Sequence, residues 1–281
     1  MKIPSSKTRT AVILDRWEQL KTKKDKLKII TNSAPETWQD LQHKVGEILE
    51  QCGFQVEIEK SIKSVRGKVE IDVYAEENIK SRKYSIICEC KHWKSKIPQN
   101  VVHGFRTVLS DLGANIGIII TTSDFQSGSI ESADMTNIKL LSWEDFQMNF
   151  FESWYSNYFY TTMNVSHSVK QDYNLVPWFD DLNEEDKSKY NKIRNKLNEL
   201  SEIQGLFPLS ILLEMENYEY EFPTLPLKNK IIDFDEYYGD LPLAIFKASD
   251  YESFLKIFTN FGKEVVREFN ELDIKYKSES E

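Results

Sequence analysis

The stretch that most constrains the fold is "NIGIIITTS", residues 115–123, an almost continuously apolar run of strand length. A strand without polar alternation is typical of one that is buried on both faces. A helical pattern precedes it in "QNVVHGFRTVLSDLGA", and a short helix, a strand and a closing helix are predicted after it in "SGSIESADMTN", "IKLLS" and "WEDFQMNFFESWYSNYF". The run therefore predicts a sheet that is covered by helices.

Three further strands are predicted upstream, because the apolar period changes to two after Gly53. They are "FQVEIE" (54–59), "VEIDVYA" (69–75) and "YSIICEC" (84–90). With the elements that surround them, the predicted order is α-β-β-β-α-β-α-β-α. This order indicates an α/β fold, in which a mixed sheet is flanked by helices.

The first helix of that order is predicted in "NSAPETWQDLQHKVGEILEQCGF". Ser33 is the expected N-cap, Pro35 lies in the first turn, and Gly53 stands where the helix ends. The helical spacing predicts a buried stripe formed by Leu41, Val45, Ile48 and Leu49. A separate basic amphipathic helix is predicted over residues 5–28.

The C-terminal part changes character. Helices are predicted over 183–204, as an exposed helix, and over 250–274, with an apolar stripe at Phe254, Ile257, Phe258, Phe261 and Val265. Short segments broken by proline lie between them, so this region is expected to be mostly helical (α+β). We expect a boundary near 160–175 and three parts: a basic helix or arm at 1–33, a domain at 34–160, and an acidic domain at 161–281.

The charge is distributed unevenly. The chain of 281 residues has a net charge of -9, but residues 1–150 carry 22 Lys+Arg and 20 Asp+Glu, whereas residues 151–281 carry 14 and 25. An acidic surface repels nucleic acid, so any contact with DNA is expected in the first half. Basic clusters that suit phosphate contacts occur there, and their alternative interpretation is a solvated face.

The composition also bears on location. No stretch approaches the ~20 apolar residues of a membrane-spanning helix, and the N-terminal apolar run "AVIL" is too short for a signal peptide. Three cysteines are an odd set that forms no disulfide framework. These features predict a cytoplasmic protein without a membrane partner.

The strand in "SIICECKHWKSK" (85–96) begins apolar and ends in charge. Because alternate residues of a strand share a face, Glu89 and Lys91 point the same way, and so do Glu70 and Asp72 on the strand before. If these strands form a hairpin through the loop "EENIKSRK", Asp72 lies near Glu89, with Lys91 beside them.

Two close carboxylates repel, and a divalent cation resolves that repulsion. The cation polarises a phosphoryl group, and a neighbouring lysine offsets the developing charge. The pattern therefore suits phosphodiester hydrolysis. The alternative is a strand-end ion pair between Glu89 and Lys91, with Glu70 and Asp72 on the outer face of an edge strand.

The region from about Trp38 to Phe146 resembles the Mrr-like branch of the PD-(D/E)XK restriction endonucleases. The matching pieces are "LQHKVGEILEQCGF", "RGKVEIDVYA", "IICECKHW", "VVHGFRTVLSDLGANIGIIITTSDFQSGS" and "NIKLLSWEDF". The resemblance implies a restriction-endonuclease-like fold and a metal-dependent nuclease that cuts DNA. It covers less than half of the chain.

The resemblance also implies residue roles. Asp72 and Glu89 would bind the metal, Mg²⁺ or Mn²⁺, and Lys91 would be the catalytic lysine. Relatives often carry a glutamate early in the first helix, and that position is Gln42 here, which is a departure. Either the extra carboxylate is dispensable, or Glu47 or Glu70 replaces it, so the number of metal ions is left open.

Several other residues are candidates for DNA contact. Gln99, His103 and Arg106 lie along the helix predicted after the strand of Glu89 and Lys91. Gln126 lies in "DFQSGS", and Lys68 ends the basic cluster "EKSIKSVRGK" at 59–68. Hydroxyls at Thr121, Thr122 and Ser123 end the fourth strand near the same place. For each of them the alternative is an ordinary solvated or internally bonded side chain. Cys88 and Cys90 make a poor zinc set and are expected to pack in the core.

The preferred hypothesis is a Mg²⁺-dependent DNA endonuclease (a deoxyribonuclease) that serves restriction or antiphage defence. A structure-selective junction nuclease, and a non-catalytic DNA-binding or adaptor protein with a nuclease fold, are the alternatives. The expected partners are DNA and, through the C-terminal half, either a second copy or a protein of a defence system. The absence of P-loop and GxGxxG motifs argues against a nucleotide-driven motor in this chain.

Overall fold

The computed structural model describes residues 29–166, 168, 176–214, 222–227 and 238–277. The chain divides into two compact units, Met1–Asn157 and Tyr158–Glu281. The basic helix that the sequence predicts over 5–28 lies outside the described residues. Most of the aromatic, acidic stretch at 217–240 lies outside them as well.

The first unit is a five-stranded sheet with helices packed on it. In chain order its elements are α1 (Trp38–Gln51), β1 (Gln55–Ser64), β2 (Gly67–Ile79), β3 (Arg82–Lys91), α2 (Gln99–Leu112), β4 (Ile116–Thr121), α3 (Ser127–Ala133), β5 (Ile138–Ser142) and α4 (Trp143–Trp154). The strands lie side by side in the order β1-β2-β3-β4-β5. The first three are antiparallel and the last three parallel. The predicted element order and the mixed sheet flanked by helices are confirmed.

The two faces of the sheet are covered by different helices. A side chain at Gly46 of α1 would meet Ile58 of β1, and Ile58 lies opposite Val73 of β2. A side chain at Gly117 of β4 would meet Phe105 of α2. Because Val73 and Gly117 lie on opposite faces of the pleated sheet, α1 and α2 sandwich it. All six residues of β4 are buried, as its apolar sequence predicts.

The first helix begins later than predicted. Its N-cap is Thr37, whose Oγ1 accepts the backbone N–H of Asp40 at 3.1 Å, and the helix starts at Trp38. Ser33 is therefore not the cap, and Pro35 precedes the helix in a segment without regular secondary structure. The carbonyl oxygen of Pro35 lies 3.1 Å from Nε2 of His92. The predicted end is confirmed, with Gly53 just beyond the C-cap at φ 94°. The predicted stripe is buried as well: Leu41, Val45, Ile48 and Leu49.

The strands are longer than the sequence indicates, and the predicted loop "EENIKSRK" is mostly strand. β2 continues to Ile79 and β3 begins at Arg82, so the connection is a two-residue turn at Lys80 and Ser81. Both turn residues have positive φ, 48° and 66°, which is the geometry of a tight hairpin turn of the primed type. An ion pair of 2.6 Å between Lys83 Nζ and Glu76 Oε2 links the strands next to this turn.

Helix α2 approaches the sheet closely at Gly117. A Cβ at this position would lie 2.6 Å from Cε1 of Phe105 and 3.0 Å from Cδ2 of Leu109. Both neighbours are buried, at 5% and 2% exposure, and so they have little room to move. The glycine thus sets the distance between α2 and the strand beside β3.

Gly117→Ala is expected to destabilise the first unit by about 1–3 kcal/mol, because it overpacks this contact. Gly104→Ala is the matched control: Gly104 lies within α2, and a Cβ there would meet nothing within 4 Å. That exchange is expected to stabilise the helix by about 0.5–1 kcal/mol. Urea unfolding of both variants measures the change in the free energy of unfolding, which should be negative for Gly117→Ala and positive for Gly104→Ala. Equal changes would contradict the close approach of α2 to the sheet.

The regular elements in the described part of the second unit are all helical, and the chain enters this unit within a π-helical segment. A π-helical segment, Tyr155–Phe159, leads into α5 (Tyr160–Ser166), and then follow a 3₁₀ turn (Phe179–Asp181), α6 (Glu184–Gly205), a second 3₁₀ turn (Ser210–Glu214), α7 (Leu243–Lys247) and α8 (Tyr251–Lys277). Both long helices occur where the sequence predicts them. None of the helices in the described ranges combines the length and the apolar composition of a membrane span.

Helix α6 is not the fully exposed helix that its charged sequence indicates. It buries a stripe of Tyr190, Ile193, Leu197, Leu200 and Ile203. Three of these pack in one cluster with Val265, Phe269 and Leu272 of α8. Five apolar side chains at helical spacing are enough to bury one face, although charged residues dominate the sequence. In α8, Phe254, Phe258 and Val265 of the predicted stripe are fully buried, whereas Ile257 and Phe261 are half-buried.

Candidate active site

The central strand β3 carries charge at its C-terminal end. It pairs with β2 on one side and with β4 on the other. Ile87 and Cys88 are 0% exposed, whereas Glu89 and Lys91 are half-buried on the sheet face that α2 covers. Charged groups in such a position are costly unless they are paired or bind a ligand.

Asp72 reaches this strand from β2. The β2–β3 ladder ends at the pair Val73–Cys88, and the same register places Asp72 opposite Glu89. Oδ2 of Asp72 accepts the backbone N–H of Cys90 at 2.7 Å. The side chain therefore takes the place of a ladder partner, which fixes its carboxylate beside the end of β3.

Lys91 and Glu89 form an ion pair within β3. Nζ of Lys91 donates to Oε1 of Glu89, and the two side chains are 19% and 27% exposed. Burial raises the pKa of Glu89, and the nearby Asp72 carboxylate raises it further, while Lys91 opposes both effects. The pKa of Glu89 is therefore raised overall, which means that Lys91 alone does not offset the cost of ionising Glu89.

These donors fit a divalent cation. Mg²⁺ usually takes one or two carboxylates from a protein and completes its shell with waters and phosphate oxygens. Asp72 and Glu89 supply two carboxylates, and their mutual repulsion is what a cation would relieve. In the parts of the chain that the structure describes, no group of three or more His, Cys, Asp and Glu side chains could hold a metal. The fit therefore depends on this pair of carboxylates.

Glu89→Gln is expected to raise the melting temperature in metal-free buffer at neutral pH. The pKa of Glu89 is raised in the folded state, so its ionisation lowers stability as the pH rises through that pKa. The gain should vanish below about pH 4, where the glutamate is protonated in both states. Thermal unfolding from pH 3.5 to 8 measures the difference, with Glu70→Gln, an exposed carboxylate on β2, as the control. A gain that is independent of pH would contradict the assignment.

The other predicted acidic or amide ligands lie apart from this pair. Glu70 is exposed on β2 opposite Ser61 of β1. Glu47 is exposed on α1, where its Oε1 accepts from Nε2 of Gln51 at 3.2 Å. Gln42 is buried on α1 at 4% exposure. Neither Glu70 nor Glu47 adds a third carboxylate to the described cluster, so their supporting roles stay predictions.

The candidate DNA contacts differ in how they are used. Arg106 donates to the backbone carbonyl of Ser132 and so ties α2 to α3. Gln99 and His103 are exposed on α2, and the side chain of Gln99 lies against Gly128 at the start of α3. Gln126 is the exposed N-cap residue of α3. Lys68 is exposed on β2, and all five remain predictions as DNA ligands.

Hydroxyl groups hold the backbone that follows the active strand. Oγ1 of Thr121 donates to the carbonyl of Lys91 at 3.0 Å, and Oγ of Ser123 donates to the carbonyl of Ser95 at 2.9 Å. These two hydroxyls position the loop after Lys91, while Thr122 beside them is half-buried. Cys88 and Cys90 are buried, and burial raises the pKa of both thiols, which fits a packing role.

Trp93 was not among the residues predicted to form the site. Its ring is 42% exposed, and Nζ of Lys91 lies 5.8 Å from the ring centroid. The signal in the sequence was an aromatic residue two positions after Lys91, on a loop rather than a core strand. The ring thus borders the charged end of β3.

A comparison with known protein families finds a match within the first unit. Residues 34–148 match the family model Mrr_cat, which is described as a restriction endonuclease. The matched part contains Asp72, Glu89 and Lys91. No curated protein matches the chain.

Two solved structures are similar at low scores. A protein of unknown function, AF1548, is 16% identical with a TM-score of 0.33, over 84% of this chain and 98% of its own. AspBHI, a DNA modification-dependent restriction endonuclease, is 12% identical with a TM-score of 0.28, over 49% of this chain and 43% of its own.

The family match thus covers the sheet and the strands that bring Asp72 to Glu89 and Lys91. Residues 34–148 are a restriction endonuclease domain of the Mrr_cat family.

Proposed function

We propose that this domain is a DNA endonuclease that hydrolyses phosphodiester bonds with a divalent cation, Mg²⁺ or Mn²⁺, held by Asp72 and Glu89. The observation that carries the proposal is the meeting of Asp72, Glu89 and Lys91 at the end of a central strand. A structural ion pair would need only Glu89 and Lys91. The second carboxylate, fixed by the N–H of Cys90, adds negative charge that a cation would offset.

Each residue of the proposed site has a separate role in hydrolysis. A cation at Asp72 and Glu89 would polarise the phosphoryl group and acidify an attacking water. Lys91, whose Nζ rests on Glu89 in the free protein, can turn to the phosphate, orient the water and offset the charge that develops on the phosphoryl oxygens. Thr121 holds the carbonyl of Lys91, which keeps the lysine in register with both carboxylates.

The proposal also covers the role of the protein in the cell. The domain's kinship with restriction enzymes favours a role in restriction or antiphage defence in the cytoplasm. The acidity of residues 151–281 disfavours DNA contact there. We assign residues 161–281 to contacts with a protein, either a second copy or a defence-system partner, and light scattering of the purified chain measures self-association.

A non-catalytic DNA-binding protein is the second candidate. It is favoured by one observation, that no third metal-ligating side chain joins the carboxylate pair in the described ranges. Such a protein would bind DNA without cutting it, and Lys91→Ala would leave its behaviour unchanged.

The test is cleavage of supercoiled plasmid by the full chain, with Mg²⁺, Mn²⁺ or EDTA. Methylated and unmethylated plasmids, linear duplexes and branched junctions are compared in order to identify the feature of the DNA that is recognised. Metal-dependent nicking or linearisation supports the proposal, and preference for junctions would indicate a structure-selective enzyme. Binding without cleavage on every substrate would favour the second candidate.

A further inference from the structure

The β1–β2 hairpin projects beyond the rest of the sheet. Its ladder continues to the pair Ser64–Gly67, whereas β3 pairs with β2 only from Val73 onward. Residues 60–71 therefore form a two-stranded projection, here called the hairpin extension, which ends close to Asp72. It carries four basic residues and a single carboxylate, Glu70, in a chain whose net charge is -9.

Two of the four basic residues have partners within the protein. Nζ of Lys60 lies 2.7 Å from Oε1 of Glu57 and 3.6 Å from the ring centroid of Tyr74. Nε of Arg66 lies 3.1 Å from Oδ2 of Asp111 on α2, which ties the tip of the extension to that helix. These two cations are neutralised in place.

Lys63 and Lys68 are different. They face each other directly across the β1–β2 ladder, and both are exposed. Neither forms an ion pair with a residue that the structure describes, although most other lysines of the sheet have a carboxylate partner. Like charges that are directly opposed across a ladder destabilise it. An anion bound between them would remove that cost.

The position of the extension along β2 relates this pair to the active site. Val69 and Ile71 pack into the core cluster that includes residues of α2. Lys68 and Glu70 alternate with them and are exposed, so they lie on the solvent side of the extension. At a rise of about 3.3 Å per residue, Lys68 lies about 13 Å along the strand from Asp72, close to the length of four base pairs.

We infer that Lys63 and Lys68 bind the phosphate backbone of duplex DNA to one side of the phosphate that is cut. The inference rests on the proposed function, because it places the duplex over Asp72. It assigns the extension to positioning the DNA, and no base is read by these two residues.

The test is the salt dependence of binding to a fluorescent duplex in EDTA, which prevents cleavage. Each phosphate contact contributes about 0.9 to the slope of log affinity against log salt. Lys63→Gln/Lys68→Gln is expected to lower the slope by about 1.8, so the affinity lost between about 50 and 200 mM salt shrinks about tenfold. Lys256→Gln/Lys263→Gln, two exposed lysines of α8, is the matched control with the same charge change. A wild-type slope in the Lys63/Lys68 variant overturns the inference.

Lys63→Glu separates folding from binding. It creates a cross-strand ion pair with Lys68, so its melting temperature should equal or exceed that of the wild type. Its affinity for the duplex should fall nevertheless, and unchanged affinity would overturn the inference. If the wild type cuts DNA while these variants bind as it does, the inference alone fails. If the wild type binds without cutting and the slope still falls, the proposed function alone fails.

Discussion

Lys91→Ala is expected to lower the rate of DNA cleavage by at least about a hundredfold to a thousandfold, the loss typical for removal of one group that stabilises transition-state charge. The ammonium of Lys91 is half-buried beside Glu89, at the point where the scissile phosphate would lie. Affinity for DNA in EDTA should change little, because one contact among many is lost. Single-turnover cleavage and duplex binding measure the two effects separately.

Lys94→Ala is the matched control for this variant. Lys94 is exposed on the loop after β3, so its loss removes the same charge near the same place without touching the carboxylates. It should cut at a rate within a few-fold of the wild type. Equal losses in both variants would mean that the region acts through its general positive charge, and Lys91 would then have no special role.

Asp72→Asn is expected to abolish stabilisation by Mn²⁺ while leaving the fold intact. A ligand at a hundred times its dissociation constant stabilises the native state by about 2.7 kcal/mol. Asn keeps an oxygen that can accept the N–H of Cys90, but it loses the charge that holds the cation. Melting curves with increasing Mn²⁺ should therefore shift for the wild type and stay fixed for the variant.

Asp72→Ala separates the two roles of this side chain. It removes the acceptor of a buried backbone N–H, since Cys90 is 6% exposed. An unsatisfied buried donor costs about 1–3 kcal/mol, so this variant should be less stable than Asp72→Asn even without metal. If Asp72→Asn still responds to Mn²⁺ as the wild type does, Asp72 is not a metal ligand.

The element order could be predicted because each local pattern agrees with the fold. The apolar run of β4 and the alternation in β2 leave few other arrangements. The ends were harder. Ser33 and Thr37 are both good N-caps, and only the contact with the Asp40 N–H selects Thr37. The turn at Lys80 and Ser81 lacks the usual Asn-Gly signal, so the strands on either side of it were taken for a loop.

The sequence was enough to predict which of the candidate side chains share a face of the sheet. Alternation placed Glu89 and Lys91 on one face, and the hairpin then brings Asp72 opposite Glu89. The hydrogen bonds that fix these side chains could not be predicted, because they depend on the register between distant segments. Two examples are the bond from the Cys90 N–H to Asp72 and the bond from the Thr121 hydroxyl to the Lys91 carbonyl. The internal hydrogen bond of Arg106 could not be predicted for the same reason, since its partner, the Ser132 carbonyl, is distant in sequence.

An active site at the end of β3 can be tested by a plasmid cleavage time course with wild type, Asp72→Asn and Lys91→Ala purified in parallel. We expect that only the wild type nicks or linearises the DNA, with Mg²⁺ or Mn²⁺ and never in EDTA. Equal cleavage by all three proteins, or cleavage that persists in EDTA, would contradict an active site at the end of β3. A wild type that leaves every substrate intact with both metals would contradict the proposed activity itself.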